Sequence, residues 1–297
     1  MKPISETLWM LRVLSLGAGV QSTTVLLMSC KGILPKLNAV VFADTGWEPL
    51  AVYEHLERLI PYATEHRIPV HKRGKGTIRS DALQSQVRGH KADGTRWASM
   101  PFFTSATRKM RNGEWTTVEG RGMIKRQCTS EYKIEVIETF LKREILALPP
   151  RARLPKEPVI EQWKGISSDE ASRMAPSREP WIQHEFPLCG WPTEMLPHTY
   201  TRTDCRLWLK ENWPYPVPRS ACIGCPFHSD AEWDRMKKED PASFADAVDF
   251  DNRIRDCGGM RGKVYLHSSL IPLSEVKFSD DRQLHLFDNE CAGVCGV

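Results

Sequence analysis

The sequence predicts an α/β fold, a doubly wound parallel sheet followed by a mostly helical C-terminal part. Over residues 11–71, three short apolar segments alternate with two segments of helical periodicity, the β-α-β-α-β order of a parallel sheet. A turn containing Gly17 and Gly19 joins the first apolar segment to the first helical one. In such sheets the ligand-binding loops follow the carboxyl ends of the strands.

Apolar patterning and the residues that start and stop helices place the individual elements. The predicted strands are 11–16, 38–42, 68–71, 158–166 and a shorter one at 184–188. The predicted helices are 21–29, 49–60, 132–148, 203–212, one that begins at Ser229 and one from 240 to about 255. Pro149-Pro150 ends the third of these helices, and Ser229 with Glu232 three residues later forms a capping-box pattern.

Segment 72–127 carries a strong excess of positive charge. Thirteen basic and four acidic residues give it a net charge of +9, in a chain whose formal charge is +4. The segment has little periodicity and many Gly, Ser and Thr residues, so we predict a long loop or insertion there. It is either a solvated surface region or a surface for a polyanion, such as nucleotide phosphates or a nucleic-acid backbone.

Composition bounds the class of protein. With 41% hydrophobic and 26% charged residues, the chain is expected to fold around a substantial core. No apolar stretch is long enough to span a bilayer and residues 1–10 lack a signal-peptide pattern, so no membrane partner is expected. Nine cysteines without an export signal indicate reduced thiols in the cytoplasm, used as ligands or nucleophiles.

Three cysteines are candidate metal ligands. Cys222 and Cys225 form a Cys-x-x-Cys pair around the turn-forming Gly224, a spacing that directs two thiolates to one point. Cys128 follows a basic run on a separate segment, which favours its thiolate form. Together they predict the floor of an active site that holds an iron–sulfur cluster. A zinc site is the alternative interpretation, and buried thiols without metal are a further one.

Three loops after predicted strands carry candidate ligand-binding groups. The loop at 15–23 combines small residues and hydroxyls at a helix N-terminus, which suits an anion, although turns with two glycines are common. Asp44-Thr45-Gly46 follows the second strand, where the Asp either caps the next helix or faces the same ligand. In the loop at 165–173, Asp169 and Glu170 either match a helix dipole or act as metal or hydroxyl partners. Arg173 there would be a phosphate or sulfate clamp.

These loops and thiols together resemble the phosphoadenylyl sulfate (PAPS) reductase-like branch of the PP-loop family, the adenine nucleotide α-hydrolases. The resemblance covers residues 12–232. It rests on Ser15-x-Gly17-x-Gly19-x-Gln21-Ser22-Thr23, Val41-Phe42-Ala43-Asp44-Thr45-Gly46, Arg126-x-Cys128 with Tyr132-Lys133, Gly165-x-x-x-Asp169-Glu170-x-x-Arg173 and Cys222-x-x-Cys225. The order and spacing of these motifs are specific, although no single motif is.

The resemblance implies an adenine nucleotide α-hydrolase-like domain at 1–235 with the basic insertion at about 72–127. A helical extension and a cysteine-bearing tail would follow at 236–297. ATP, or adenylyl sulfate or PAPS, would bind the first loop, with Mg²⁺ accompanying ATP. The implied nucleotide-binding residues are Ser15, Gly17, Ala18, Gly19, Gln21, Ser22, Thr23, Asp44, Thr45, Gly46, Asp169 and Glu170. The implied ligands of a [4Fe-4S] cluster, or of zinc, are Cys128, Cys222 and Cys225. The implied catalytic residues are Lys133, Arg173 and Cys291.

The chain departs from the family pattern in its first loop, at its first thiol and in its tail. Gln21 stands where ATP-using members have Asp, and Thr129 stands where the second Cys of a cluster-binding pair would be. The tail at 290–297 matches the Glu-Cys-Gly-x-His of the reductases only in part. The fourth cluster ligand is therefore open among Cys205, Cys291, Cys295 and no protein ligand.

Two activities and a binding role follow from the resemblance. The chain is expected to activate a substrate by ATP-dependent adenylation for sulfur transfer, with tRNA or DNA favoured because of the basic segment. A cysteine desulfurase would be the matching partner. The alternative is a PAPS or adenylyl sulfate reductase, in which Cys291 or Cys295 attacks the sulfate sulfur and a thioredoxin-like protein is the reductant. A non-catalytic nucleotide-binding module is the third interpretation.

Overall fold

The computed structural model describes residues 10–85, 100–113, 115–255 and 262–278, and within them the strands form two sheets. The strands are β1 (Leu11–Leu16), β2 (Ala39–Ala43), β3 (Val70–Arg73), β4 (Phe103–Lys109), β5 (Trp115–Met123), β6 (Ile160–Lys164), β7 (Ile182–Glu185) and β8 (Val264–Tyr265). The helices are α1 (Val20–Cys30), α2 (Leu50–Glu65), α3 (Ile78–Ser85), α4 (Glu135–Phe140), α5 (Arg202–Asn212), α6 (Asp230–Glu239) and α7 (Pro241–Ile254). Short 3-10 helices lie at Ser168–Arg173, Pro187–Cys189 and Leu273–Glu275.

The larger sheet has five strands, all parallel, in the order β3-β2-β1-β6-β7. This confirms the predicted α/β class with a parallel sheet. The order runs one way from β1 to β3 and the other way from β6 to β7, so it reverses between β1 and β6. Ser15 of β1 pairs with Lys164 of β6 near this point. In open α/β sheets, ligands bind in the crevice beyond the carboxyl ends of such a strand pair.

Helices cover both faces of this sheet. Leu14, Phe42 and Trp163 point to one face and pack with residues of α1, α2 and α5. Val13 and Val41 point to the other face and pack with residues of α4. Because neighbouring side chains along a strand point to opposite faces, burial of both faces requires nearly continuous apolar strands. This explains why the apolar runs at 11–16 and 38–42 could be recognised as strands.

The second sheet replaces the long loop predicted for the basic segment. β4 and β5 form an antiparallel ribbon, and β8 pairs with Phe103 and Thr104 at the start of β4. The loop interpretation was wrong over residues 103–123, because charged residues and glycines obscure the Thr-rich strands on either side of the turn. The insertion at about 72–127 stays a prediction. Asn112-Gly113 is a typical hairpin signal, and Gly113 has a φ of +90°, which glycine adopts readily.

The C-terminal part is mostly helical, as predicted, and it shares a core with the middle of the chain. Trp233 of α6 and Phe250 of α7 pack in one cluster with Trp47 and Phe102. The strand β8 is a small addition that apolar patterning did not indicate. The division predicted at residue 235 falls within α6 and stays a prediction.

Two helices differ from their predicted bounds. α2 continues to Glu65 and includes Pro61, which the prediction had taken as its end. The helix predicted at 132–148 starts earlier, because α4 is flanked by π-helical turns at Ser130–Ile134 and Leu141–Ile145. Among the described helices, none has the length and apolar character needed to cross a bilayer.

Lys164, at the end of β6, is fully buried without a carboxylate partner in the described part of the chain. Its Nζ lies 3.1 Å from Nδ1 of His184, which is also 2.8 Å from the Ala175 carbonyl oxygen. Burial lowers the pKa of Lys164 to about 6. Burial and the charge of Lys164 lower the pKa of His184 to about 4. Near neutral pH the folded protein therefore holds a neutral amine here.

We predict that Lys164→Met flattens the rise of stability with pH. Between pH 6 and 10.5 the unfolded chain keeps a proton on Lys164 that the folded chain has lost. The free energy of unfolding should therefore rise by about 1.4 kcal/mol per pH unit from this residue alone. Denaturant unfolding at pH 7, 8 and 9 gives the free energy of unfolding of wild type and of Lys164→Met, and the difference between their pH slopes is the contribution of Lys164. Parallel stability curves for the two proteins would contradict the lowered pKa.

Candidate functional site

The turn after β1 presents backbone donors at the crevice beyond β1 and β6. Gly19 precedes α1 in an extended conformation without a side-chain cap, and the first turn of α1 has no acidic residue. The Ser22 hydroxyl accepts a hydrogen bond from Gly17 N at 3.2 Å and donates one to Gly19 O at 3.3 Å, which fixes the turn. Uncapped N–H groups and the helix dipole at this end favour an anion.

Gly165 allows the loop after β6 to lie directly against α1. A Cβ at this position would lie 2.5 Å from Ser22 N and 2.9 Å from the carbonyl carbon of Gln21, closer than real Cβ contacts allow. The loops after β1 and β6 are therefore in backbone contact. This contact brings together the first and fourth motifs of the sequence pattern, which are about 150 residues apart.

A polar network spans these two loops. The Gln21 side-chain amide donates hydrogen bonds to Ser167 Oγ and to Glu170 Oε2, both at 3.3 Å. Glu170 Oε2 also accepts a hydrogen bond from Arg173 Nη1 at 2.6 Å. Arg173 Nε is buried and has no partner among the described residues. Glu170 therefore orients the Arg173 guanidinium, which keeps donor capacity for a ligand.

Ser15 and Thr23, both predicted to bind nucleotide, each make a hydrogen bond within the fold. Gln162 Nε2 donates a hydrogen bond to Ser15 Oγ at 2.7 Å. Thr23 Oγ1 lies 3.0 Å from His55 Nε2 in the core between α1 and α2. Burial lowers the pKa of His55 to about 4, so this imidazole is neutral. Of the loop hydroxyls, Ser22 is the one whose bonds shape the turn.

The two predicted aspartates also make hydrogen bonds that organise loops. Asp44 Oδ1 accepts hydrogen bonds from Gly46 N at 2.8 Å and from the Tyr53 hydroxyl at 2.9 Å. Burial and the hydrogen bond to Asp44 raise the pKa of Tyr53. Asp169 Oδ1 accepts a hydrogen bond from Arg202 N at 3.0 Å, at the start of α5. Asp44 Oδ2 also forms an ion pair with Lys72 Nζ at 3.0 Å, so Asp44 organises its own loop and does not cap α2. A role of either aspartate in nucleotide binding stays a prediction.

The three predicted thiol ligands line one pocket. Cys128, Cys222 and Cys225 are brought there from segments about 100 residues apart, together with Thr45 and Lys133. The cavity volume is about 30 Å³. That is room for a single water or small ion, so a larger group would need the side chains to move apart. The three cysteines therefore line the same pocket, as the sequence predicted.

Thr45 joins this pocket to the loop after β2. Its hydroxyl lies 3.3 Å from Cys222 Sγ and donates a hydrogen bond to Glu48 Oε1 at 2.9 Å. Cys222 Sγ donates to the same Glu48 oxygen at 3.6 Å. Glu48 is 4% exposed, and its Oε2 has no partner among the described residues. A thiol, a hydroxyl and a carboxylate thus form one buried group on the side of the pocket nearest the sheet.

The Cys-x-x-Cys turn is anchored to the same loop through its backbone. Ile223 N donates a hydrogen bond to Trp47 O at 3.0 Å, and Gly224 packs so closely on the Trp47 ring that no Cβ fits. His228 Nε2 lies 3.0 Å from the Cys222 carbonyl oxygen. Burial lowers the pKa of His228 to about 4, so the neutral ring donates this bond. The positions of both thiols therefore depend on residues 47 and 228.

Cationic side chains form the opposite wall of the pocket. Arg126 donates a hydrogen bond from Nη2 to Thr129 Oγ1 at 2.6 Å and stacks over the Phe227 ring. Lys133 is 8% exposed and lies in the π-helical turn before α4. No carboxylate belongs to the described lining of the pocket. This wall suits an anion, or thiolates whose negative charge needs compensation.

Several predicted ligands and nucleophiles lie elsewhere. Cys205 is fully buried in the core between the main sheet and α5, away from the pocket lining. Cys291 and Cys295 lie outside the described residues. Within the described ranges, no three His, Cys, Asp or Glu side chains are arranged as a ready metal site. The thiols share a pocket without forming a preassembled cage.

Glu48 and His228 are the site residues that sequence reasoning missed. Glu48 follows Asp44-Thr45-Gly46 near the start of a helix, where an acidic residue ordinarily matches the helix dipole. His228 is adjacent to the Cys-x-x-Cys turn, and its spacing fits a helix start equally well. Spacing in the sequence does not indicate either role. Glu48 contacts Cys222, which is 174 residues away, and His228 contacts a carbonyl whose position is set by the geometry of the Cys-x-x-Cys turn.

A scan against protein-family models gave no match to this chain, and a search of curated proteins gave none either.

We predict that a short bifunctional thiol reagent, such as dibromobimane, links Cys128 to Cys222 or Cys225. Mass spectrometry of the digested protein identifies the joined peptides. In Cys128→Ser, only the Cys222–Cys225 link should remain. Burial raises the pKa of Cys30 and of Cys189 to about 11, so at pH 8 both should stay unmodified and serve as internal controls. A Cys128 that reacts singly in every molecule would contradict the shared pocket.

Proposed function

We propose that this protein is an adenine-nucleotide-using enzyme of sulfur chemistry. It binds ATP in the crevice between the loops after β1 and β6 and transfers AMP to an oxygen of its substrate. Sulfur supplied at the thiol pocket then displaces AMP. Adenylation forms a phosphorus–oxygen bond to the substrate and releases pyrophosphate, and the displacement releases AMP with the substrate oxygen. A cysteine desulfurase would be a suitable sulfur donor, with a dithiol as the two-electron reductant that brings its persulfide sulfur to the sulfide level and is oxidised to a disulfide.

One observation carries this proposal: the thiol pocket and the nucleotide crevice share the carboxyl edge of the sheet. Thr45, in the loop after β2, lines the pocket and contacts Cys222 at 3.3 Å. The glycine turn after β1 lies at the end of the strand next to β2. A thiol pocket built only for stability has no reason to adjoin the ligand edge of an α/β sheet.

The residues of the crevice fit a polyphosphate. Backbone N–H groups at the start of α1 are uncapped, and Gly165 keeps the opposite wall free of a side chain. Arg173, oriented by Glu170, supplies positive charge for the charge that develops on phosphate. ATP-using members of the family that the chain resembles have Asp at the position of Gln21. Here the Gln21 amide contacts Glu170 Oε2, so a carboxylate still lies next to this position. Mg²⁺ would accompany ATP.

The thiol pocket fits a thiolate-bound group by the chemistry of its donors. Cys128, Cys222 and Cys225 face one space, and Lys133 offsets negative charge there. A [4Fe-4S] cluster held by these three residues would supply an iron on which added sulfur can be carried. Zinc is the alternative metal, since Cys-x-x-Cys turns also hold zinc.

The basic segment supports a nucleic acid, tRNA or DNA, as the acceptor. The segment of net charge +9 reaches the pocket through Arg126, which lines it. Polyanion binding depends on such positive surfaces.

A second candidate is reduction of adenylyl sulfate or PAPS to sulfite. Arg126 and Lys133 beside the thiols favour it, because two cations would hold a sulfonate group in the pocket. In this reaction a tail thiol, Cys291 or Cys295, attacks the sulfate sulfur and releases the adenylate. A thioredoxin-like dithiol then frees sulfite and is oxidised to its disulfide.

We predict that the protein with Mg²⁺, labelled ATP and tRNA or duplex DNA yields AMP and pyrophosphate. Arg173→Ala should lower kcat/KM for ATP about a hundredfold, since one preorganised charge at the reacting phosphate is lost. Arg178→Ala is the matched control, because Arg178 is exposed five residues further along the same loop. Equal activity of the two variants would remove Arg173 from the site. Sulfite release from adenylyl sulfate without ATP cleavage would favour the reductase.

We predict iron and acid-labile sulfide in anaerobically purified protein. Cys128→Ser, Cys222→Ser and Cys225→Ser should each lose most of both, whereas Cys30→Ser at the far end of α1 should keep them. Metal analysis and the visible absorption spectrum report this without an activity assay. Zinc without sulfide would indicate a zinc site and not a cluster. Retention of the metal by all three variants would refute both a cluster and a zinc site at these cysteines.

A further inference from the structure

The strands β4 and β5 form a ribbon in which most of the described residues are exposed. Its strands pair from Phe103 with Met123 to Lys109 with Trp115, and the turn lies at residues 110–113. β8 pairs only with residues 103 and 104, so the outer part has two strands. The seven residues of β4 correspond to a length of about 24 Å.

Among the described side chains of the ribbon, three apolar ones are exposed. Side chains at Met110, Val118 and Met123 are 49%, 36% and 44% exposed, although all three are apolar. The turn residues 110–113 are exposed throughout. A two-stranded ribbon gains little stability in water by itself, so surface of this kind is suited to contact with another molecule.

The charge of the ribbon identifies the class of that molecule. Residues 103–125 include five basic and two acidic residues. Lys109, Arg111 and Lys125 are exposed, and none of them forms an ion pair with a described carboxylate. Arg121 is held against the body by a hydrogen bond to the Ser268 carbonyl oxygen at 3.4 Å. Lys109 and Arg111 near the turn and Lys125 beyond the end of β5 give the ribbon exposed positive charge, which fits a polyanion.

Both ends of the ribbon lead into the thiol pocket. Met100 and Pro101 precede β4, and Arg126 and Cys128 follow β5, and all four line the pocket. Ile124 N donates a hydrogen bond to Phe102 O at 2.9 Å, which continues the pairing to the pocket rim. A polyanion bound along the ribbon is thereby placed beside the thiols.

We infer that the ribbon binds duplex DNA by entering its major groove. The major groove of B-form DNA is about 12 Å wide and admits a two-stranded ribbon, whereas the major groove of A-form RNA is too narrow for side chains to read. Single strands are bound by stacking on exposed aromatic rings, and no ring among the described side chains of the ribbon is exposed. The role of this DNA as acceptor rests on the proposed function, but its binding does not.

The test measures binding of the full chain to fluorescent duplex DNA of mixed sequence, without ATP, over a series of salt concentrations. Lys109→Ala/Arg111→Ala should weaken binding at least about tenfold at 0.1 M salt and lower the slope of log K against log salt by about 1.8. Lys125→Ala should lower the slope by about 0.9. Arg153→Ala/Lys156→Ala removes the same two side-chain types from exposed positions before β6 and should leave both quantities unchanged.

Three results would overturn the inference. They are equal weakening by the ribbon and control variants, no binding of duplex DNA by the wild type, and tighter binding of an RNA duplex or a single strand of the same length. Circular dichroism and the melting temperature establish that each variant is folded. DNA binding without ATP cleavage would refute the proposed function alone, and ATP cleavage without DNA binding would refute this inference alone.

Discussion

The contact between Thr45 and Cys222 is the interaction on which the rest of the site depends. It joins the loop after β2 to a turn 177 residues later, and it does so at the ligand edge of the sheet. Backbone hydrogen bonding between Ile223 and Trp47 supports it, as does the close packing of Gly224 on the Trp47 ring. Trp47 also joins this loop to α7, through a hydrogen bond from Nε1 to Asp246 Oδ2 at 2.6 Å.

The class of fold and the carboxyl-edge loops could be predicted because they follow from local patterns. The apolar runs at 11–16 and 38–42 have the length and continuity of buried parallel strands, and both are present. The Asn112-Gly113 turn was an equally local signal, but charge around it made the segment look like a loop. Pro61 within α2 shows the opposite case, where packing of Leu56, Leu59 and Ala63 against the sheet extends a helix past a residue that usually ends one.

That the three cysteines share a pocket could be predicted from the sequence, but the bonds of the loop carboxylates could not. Cys-x-x-Cys and the isolated Cys128 were recognisable from residue type, and they line a common pocket. Asp44 and Asp169 were recognisable too, yet their observed bonds are to backbone N–H groups, a tyrosine and a lysine. Which way a carboxylate points is decided by neighbours that arrive from distant segments. Glu48 illustrates this, because its partner Cys222 is 174 residues away.

The anchoring of the Cys-x-x-Cys turn on residues 45–47 has a thermodynamic corollary. Any ligand that displaces this loop must also displace Cys222, because the hydroxyl and the main chain hold the two segments together. Occupancy of the crevice and occupancy of the pocket then change each other's affinity by one common factor. The affinity for the second ligand would then depend on whether the first is bound, without any domain movement.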